Sequence, residues 1–213
     1  MKNRDYKEFA KGVVIHIYNR GNNREKIFYD DQDYRAFLFR LGLTLGFEAK
    51  ELKHELLSVP FSRIRITAMK KGLFFLHAFC LMPNHFHILI EQCGDVSISK
   101  LMLKVCTSYA TYINKKYKRV GHVFQDQFKS VLIKSNSQLM WTSAYIHTNA
   151  VKDKMVKNPQ DYKWSSYNDF ALNRNLPIVY KQFIIELFGG QNNFIKETLT
   201  LTSENSMNVK GHL

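Results

Sequence analysis

The chain has 213 residues, enough for one sizeable core with a tail or insertion to spare. Apolar residues make up 45% of it and aromatic ones 14%, the balance of a folded globular protein and not of a disordered one. Its 31 lysines and arginines against 18 acidic residues leave a net charge of +13, a field that favours polyanions, nucleic acid before anionic membrane, because no basic helix with a broad apolar face stands out.

The opening stretch, Met1 to Lys11, is charged and has no apolar run directly behind it, so no secretory signal is expected. Residues 12–19 (GVVIHIYN) read as a strand, with Val13, Ile15 and Ile17 on one face and Val14, His16 and Tyr18 on the other. Arg20-Gly21-Asn22-Asn23 breaks it. Tyr34, Phe37, Leu38, Leu41 and Leu45 recur at helical spacing, which predicts a helix over 31–46. Residues 47–72 are ambiguous. They extend the helix or make a basic excursion around Arg63, Arg65, Lys70 and Lys71.

Residues 73–82 (LFFLHAFCLM) read as a strand buried on both faces. The apolar run from Leu73 to Pro83, interrupted by His77, is too short to span a bilayer, so no membrane partner and a cytoplasmic location are expected. Cys80, Cys93 and Cys106 form no CxxC pair and are odd in number, so reduced thiols are the default. Met82-Pro83-Asn84 suits a tight turn, and 85–92 (HFHILIEQ) alternates like the returning strand. A helix over 97–117, a strand over 123–133 and a helix from about 136 to about 151 follow, the last opened by a capping box of Ser135 and Gln138. Residues 178–188 suggest one more short helix, and the polar stretch after Leu201 is expected to fray. The first six elements match a split βαβ, ferredoxin-like α+β pattern: a central antiparallel sheet with helices on one face.

Three features carry chemistry. His85 and His87 lie two apart on a strand, so their imidazoles share a face and can hold one divalent ion, while Phe86, Ile88 and Ile90 face a core. By itself an HxH pair is a weak motif, equally the mark of two surface histidines. Tyr145 and Asn149 lie four apart on the last predicted helix and share a face, as a phenol and an amide directed at the same ion or as a packed tyrosine and a helix cap. Between Lys100 and Lys134 stand Lys100, Lys104, Lys115, Lys116, Lys118, Arg119, Lys129 and Lys134 against Asp126 alone, interleaved with Tyr109, Tyr112, Tyr117, Phe124 and Phe128. Such a stretch binds phosphates and stacks on unpaired bases, although several of its aromatics also suit a core.

Together these residues resemble a known family. Met82-Pro83-Asn84-His85-Phe86-His87-Ile88-Leu89 resembles the HUH signature of single-tyrosine transposases, in the form found in small insertion-sequence transposases and REP-associated tyrosine transposases. Tyr18-Asn19-Arg20-Gly21-Asn22-Asn23 with Ile27-Phe28 resembles their opening strand and turn. The segment from Gly121 to Ser130 resembles their GxxFQxxFKS stretch. Tyr145-Ile146-His147-Thr148-Asn149-Ala150-Val151 and Tyr162-Lys163-Trp164-Ser165-Ser166-Tyr167 resemble their YIHxNPV and YxWSSY blocks. The likeness covers roughly residues 10–170, with a catalytic domain expected over 1–170 and a C-terminal helical extension and flexible tail over 171–213.

The resemblance implies a metal-dependent enzyme that nicks and joins single-stranded DNA beside a hairpin. It makes Tyr145 the nucleophile, His85, His87 and Asn149 the ligands of Mg²⁺ or Mn²⁺, and the product a 5′-phosphotyrosine. It also implies DNA contacts from Arg20, Lys115, Lys116, Lys118, Arg119, Gln125 and Lys129, a homodimer, and a place near the nucleoid. The chain departs at Ala150, where the family usually has proline, and at Asp126-Gln127, where a small residue and arginine are common. Two rivals remain: a nucleic-acid-binding protein that keeps the fold without catalysis, and a metal-dependent enzyme for small phosphorylated substrates. A helicase or ATPase is unsupported, since no GxxxxGK[ST] loop occurs.

Overall fold

A computed structural model describes residues 11–56, 66–172 and 174–205. Four strands form the centre: β1 (Val13–Arg20), β2 (Phe74–Met82), β3 (His85–Gln92) and β4 (Lys129–Leu132). They pair antiparallel throughout in the order β2-β3-β1-β4. With the crossovers α1 (Asp31–Thr44) and α3 (Ile98–Lys116), this is the expected ferredoxin-like α+β arrangement.

The alternation in β1 and β3 decides what each face of the sheet does. Ile15, Ile17, Phe86, Ile88 and Ile90 turn to one side and pack with Phe37, Leu41, Leu101, Val105 and Tyr109 of α1 and α3 in one buried cluster. The other side is also covered, which the one-sided expectation did not include. There Ala78, Cys80, Met82 and Leu89 pack with Leu139 and Ile146 of α4 (Asn136–His147) and with Phe170, Ile184 and Phe194 from the three helices α6 (Tyr167–Ala171), α7 (Gln182–Leu187) and α8 (Gln191–Asn205). His85 and His87 alternate with Phe86 and Ile88, so they turn to this second face, between the sheet and a helical layer.

Local differences have local causes. The strand expected over 123–133 pairs with β1 only from Lys129 to Leu132; before that the chain is a loop, tied by a bridge between Gly21 and Phe124. Helix α2 (Ala49–Leu56) follows α1 after a break at Gly46, so the ambiguous stretch is partly a separate helix. Arg63 and Arg65 lie outside the described residues, while Lys71 pairs with Glu51 at 2.8 Å. The capping box at Ser135 is half formed: Ser135 Oγ accepts from the Gln138 amide, but the Gln138 side chain accepts from Lys134. Helix α8 runs through Asn205, past the expected fraying point at Leu201.

Candidate metal and nucleotidyl site

The turn between β2 and β3 consists of Pro83 and Asn84 alone, and the loop after β1 grips it. Pro83 O accepts from the amides of Ile27 and Phe28 at 2.8 and 3.0 Å, and Asn84 O accepts from Gly21 at 2.7 Å. Only glycine suits position 21, because a Cβ there would stand 2.1 Å from the Glu25 carbonyl oxygen. Asn84 Nδ2 donates to Arg24 O, which orients its Oδ1 toward His85 Nδ1 at 2.6 Å. His85 then donates from Nδ1, and its Nε2 is left with a lone pair.

Register brings the rest of the floor together. Tyr18 lies opposite His87 and Arg20 opposite His85 on one side; Cys80 and Met82 lie opposite them on the other. His87 is only 5% exposed, so it is no surface histidine. Its Nδ1 lies 2.9 Å from Nε2 of His16. Burial lowers the pKa of His87 well below the ordinary imidazole value, lowers that of His85, and takes His16 down to about 4, so all three rings are neutral at pH 7 and available as lone-pair donors.

Helix α4 supplies the roof. The single long helix expected to about 151 is two pieces: the Thr148 hydroxyl donates to Ala144 O at 2.8 Å, the backbone leaves helical geometry at Thr148, and the short α5 (Asn149–Lys152) begins. Tyr145 and Asn149 nevertheless face the same place. Asn149 Oδ1 lies 3.3 Å from His85 Nε2. The Tyr145 ring stands 5.5 Å from that of His87, is stacked by Trp141 at 5.3 Å, and has the Lys152 ammonium 4.4 Å above it. Burial raises the Tyr145 pKa, partly offset by a hydrogen bond from Asn149.

This donor set suits a divalent ion, the imidazole nitrogens being borderline donors and the amide oxygen a hard one. Two imidazoles and an amide oxygen are neutral ligands, and the 3.3 Å between His85 Nε2 and Asn149 Oδ1 is close to the roughly 3 Å that separates adjacent ligands in an octahedral shell with bonds of about 2.1 Å. As oriented, both atoms present lone pairs, so a cation between them relieves their repulsion. No cluster of three or more His, Cys, Asp or Glu side chains placed to hold a metal occurs among the described residues. His85, His87 and Asn149, the residues that face one another here, bring no carboxylate with them.

The seven residues expected to touch DNA divide into four groups. Arg20 and Gln125 hold each other side chain to side chain beside His85, with the Gln125 amide also donating to Arg20 O. Lys129 lies opposite Tyr18 on β4, exposed on the histidine face. Lys115 and Lys118 are exposed at the end of α3. Lys116 and Arg119 are engaged elsewhere: Lys116 with Asp30 and Asp33 at 2.7 and 2.8 Å, Arg119 with Glu25 and the Tyr29 hydroxyl. Tyr109, Tyr112 and Tyr117 are likewise committed, their hydroxyls donating to Ile27 O and to Asp33. A cleft of about 550 Å³ between α3 and the 121–128 loop is lined by Asn19, Cys106 and Phe124 and lies on the other face of the sheet from the histidines.

Sequence reasoning missed His16, Trp141 and Lys152. His16 was legible as sharing a strand face with Tyr18, and Lys152 follows Tyr145 by seven residues, two helical turns on one face. Nothing in the sequence signals Trp141 beyond its four-residue spacing from Tyr145.

Residues 10–149 match the family described as "Transposase IS200 like". The fold is similar to that of a REP-associated tyrosine transposase bound to a REP hairpin, with 17% identity, a TM-score of 0.54, and 84% of this chain and 91% of that chain covered. A candidate transposase of Deinococcus radiodurans aligns at 12% identity with a TM-score of 0.40, over 75% of this chain and 97% of that one. No curated protein matches the chain. Among the described residues no helix is long and apolar enough to cross a membrane.

Proposed function

The chain belongs to the IS200-like transposase family, and from that premise we propose that it is a metal-dependent single-stranded DNA endonuclease and strand transferase that forms a 5′-phosphotyrosine at Tyr145 beside a DNA hairpin. One observation carries this reading: His85, His87, Asn149 and Tyr145, drawn from a middle strand and from two short helices, converge on one place within a single chain.

His85, His87 and Asn149 would hold Mg²⁺ or Mn²⁺, and such an ion, when bound, supplies Lewis-acid polarisation of a non-bridging phosphate oxygen. Tyr145 Oη attacks phosphorus in line as its phenolic proton is lost; the bond to the 3′-oxygen breaks, and that oxygen takes up a proton and leaves as a hydroxyl, so the step is proton-neutral. A 3′-hydroxyl of a second strand reverses the step, so joining needs no external energy. The phenol starts neutral, because burial raises its pKa, and the Lys152 charge over the ring favours the anion it must become. Trp141 stacks on the ring and fixes its direction. Arg20, Gln125 and Lys129 border the histidines as phosphate contacts; Lys115 and Lys118 extend that surface along the backbone.

In this reading residues 1–170 are the catalytic unit and 171–213 an extension. Ile184 and Phe194 of the extension pack in the same cluster as Ile146 of the nucleophile helix, which supports a role in holding that helix. A cytoplasmic homodimer acting at the nucleoid completes the proposal. The deciding experiment incubates the protein with single-stranded hairpin DNA taken from beside its own gene, with Mn²⁺ or Mg²⁺, and resolves the mixture by denaturing electrophoresis. A metal-dependent covalent complex is expected. Hairpin binding without an adduct would instead identify a catalytically silent DNA-binding protein.

A further inference from the structure

His16 has no part in the reaction as described, yet it lies within hydrogen-bond distance of an imidazole of the proposed metal site. It stands on β1, 71 residues before His87, and is 9% exposed. Its Nε2 lies 2.9 Å from His87 Nδ1, with ring centroids 5.2 Å apart and planes 26° apart, so the two nitrogens point at each other along the rings' edges. Tyr18 and Tyr145 border it at 5.3 and 6.1 Å, so the ring is held from both sides.

A nitrogen–nitrogen contact of this length contains one proton, and its owner decides what His87 can do. If His16 donates, a neutral His87 carries its own proton on Nε2, and that atom cannot bind a cation. If His87 donates, its Nε2 keeps the lone pair. We propose that His16 is a positioning residue that accepts the Nδ1 proton of His87 and so fixes the tautomer and direction in which His87 Nε2 ligates the metal. This rests on the metal reading above.

Metal-binding histidines ordinarily donate their second nitrogen to a carboxylate, a carbonyl or water. An imidazole in that place has a specific consequence. It is neutral, so the acceptor adds no negative charge beside a site that must admit a phosphodiester, and it needs no buried counter-charge. Its ring also fills the space between Tyr18 and Tyr145, which a water would leave loose.

The test measures Mn²⁺ binding to the DNA-free protein by the paramagnetic resonance signal of free Mn²⁺, for the native chain, His16→Phe, His16→Gln and His85→Ala. Replacing an outer partner of this kind costs roughly ten- to a hundredfold in metal affinity, and that loss is expected for His16→Phe. His16→Gln, whose amide oxygen can accept the same proton, should recover most of it. In parallel, nitrogen-15 NMR of the metal-free native protein should place the His87 proton on Nδ1, which decides the matter even if His16→Phe does not fold. Affinity of a folded His16→Phe protein within twofold of native, or a proton on His87 Nε2, overturns the inference. A native protein that takes up Mn²⁺ no better than His85→Ala overturns the metal site itself, whatever His16 does.

Discussion

The ring of Tyr145 meets that of His87 edge to face, with 5.5 Å between centroids and 89° between planes. The phenol thereby lies over one imidazole of the candidate site while its ring is stacked against Trp141. Tyr18 shares the face, at 5.8 Å from His87. Tyr18 is fixed in a central strand, however, whereas Tyr145 sits at the end of a helix that breaks three residues later. Tyr145→Phe is therefore expected to abolish strand cleavage and the covalent adduct while leaving hairpin affinity within a few-fold of native. Peptide mapping of the adduct checks this, and a phosphotyrosine found on Tyr18 would reverse the assignment.

The ligands should not be equal. In the proposed site His85 and His87 are the two nitrogen donors, and removing either leaves one imidazole. His85→Ala and His87→Ala are expected to lose more metal-dependent cleavage than the roughly 10–100-fold that follows loss of an outer partner. Asn149→Ala should fall within that smaller range, because water can replace a neutral amide oxygen. Initial rates against Mn²⁺ concentration measure all three, with the native enzyme in a chelator as the zero. Full activity of either histidine variant rules out the site.

The parts of the fold that alternate strictly are legible in the sequence, and those that depend on distant partners are not. His85–Gln92 declares both its strand and its two faces, since every second residue is apolar and the pair of histidines interrupts the other set. Residues 123–128 carry the same apolar signal for another reason: Val123 is buried, and Phe124 and Phe128 are partly so, against the α1–α3 layer, while Asn19 donates to Asp126 O across the loop. The helix break at Thr148 is invisible because a threonine hydroxyl can bond back to the preceding turn or stay in solvent, and packing chooses. Helix α8 escapes notice since its buried positions, Phe194 and Thr198, include a polar residue and so weaken the apolar period. In the site, the HxH pair was readable by spacing; its link to His16 spans 71 residues and has no local signature.

Stability should fall on the acid side. His147 is buried, its Nε2 2.8 Å from Ser166 Oγ, and burial takes its pKa down to about 3; His16 is taken down to about 4. In the unfolded chain both titrate near 6.5. As pH falls below that value the unfolded state binds protons that the folded state refuses, so unfolding becomes easier through the window from about 6.5 down to each folded value. At pH 5 each such group costs about 2 kcal/mol. Urea midpoints of the metal-free protein at pH 7.5 and 5.0, at constant ionic strength, check it. Equal midpoints would mean that these rings accept protons in the folded state.

The basic segment should separate into residues that hold the fold and residues that hold DNA. Lys116 meets Asp33, a carboxylate with no solvent exposure, and Asp30 as well. Asp33 also accepts from the hydroxyls of Tyr112 and Tyr117, and from the Tyr29 amide. Removing the lysine strands a buried charge, a loss between the 0–1 kcal/mol of an exposed pair and the 3–5 kcal/mol of a buried one, so roughly 2 kcal/mol. Lys116→Met is accordingly expected to lower the melting temperature with little change in the salt dependence of DNA binding. Lys115→Ala and Lys118→Ala, whose side chains are exposed, should leave melting unchanged and each reduce the log–log salt slope by about one. Thermal unfolding and hairpin binding at several salt concentrations measure both properties on the same preparations. The opposite pattern, a stable Lys116→Met protein with a reduced salt slope, would mean that DNA draws Lys116 out of its pair with Asp33.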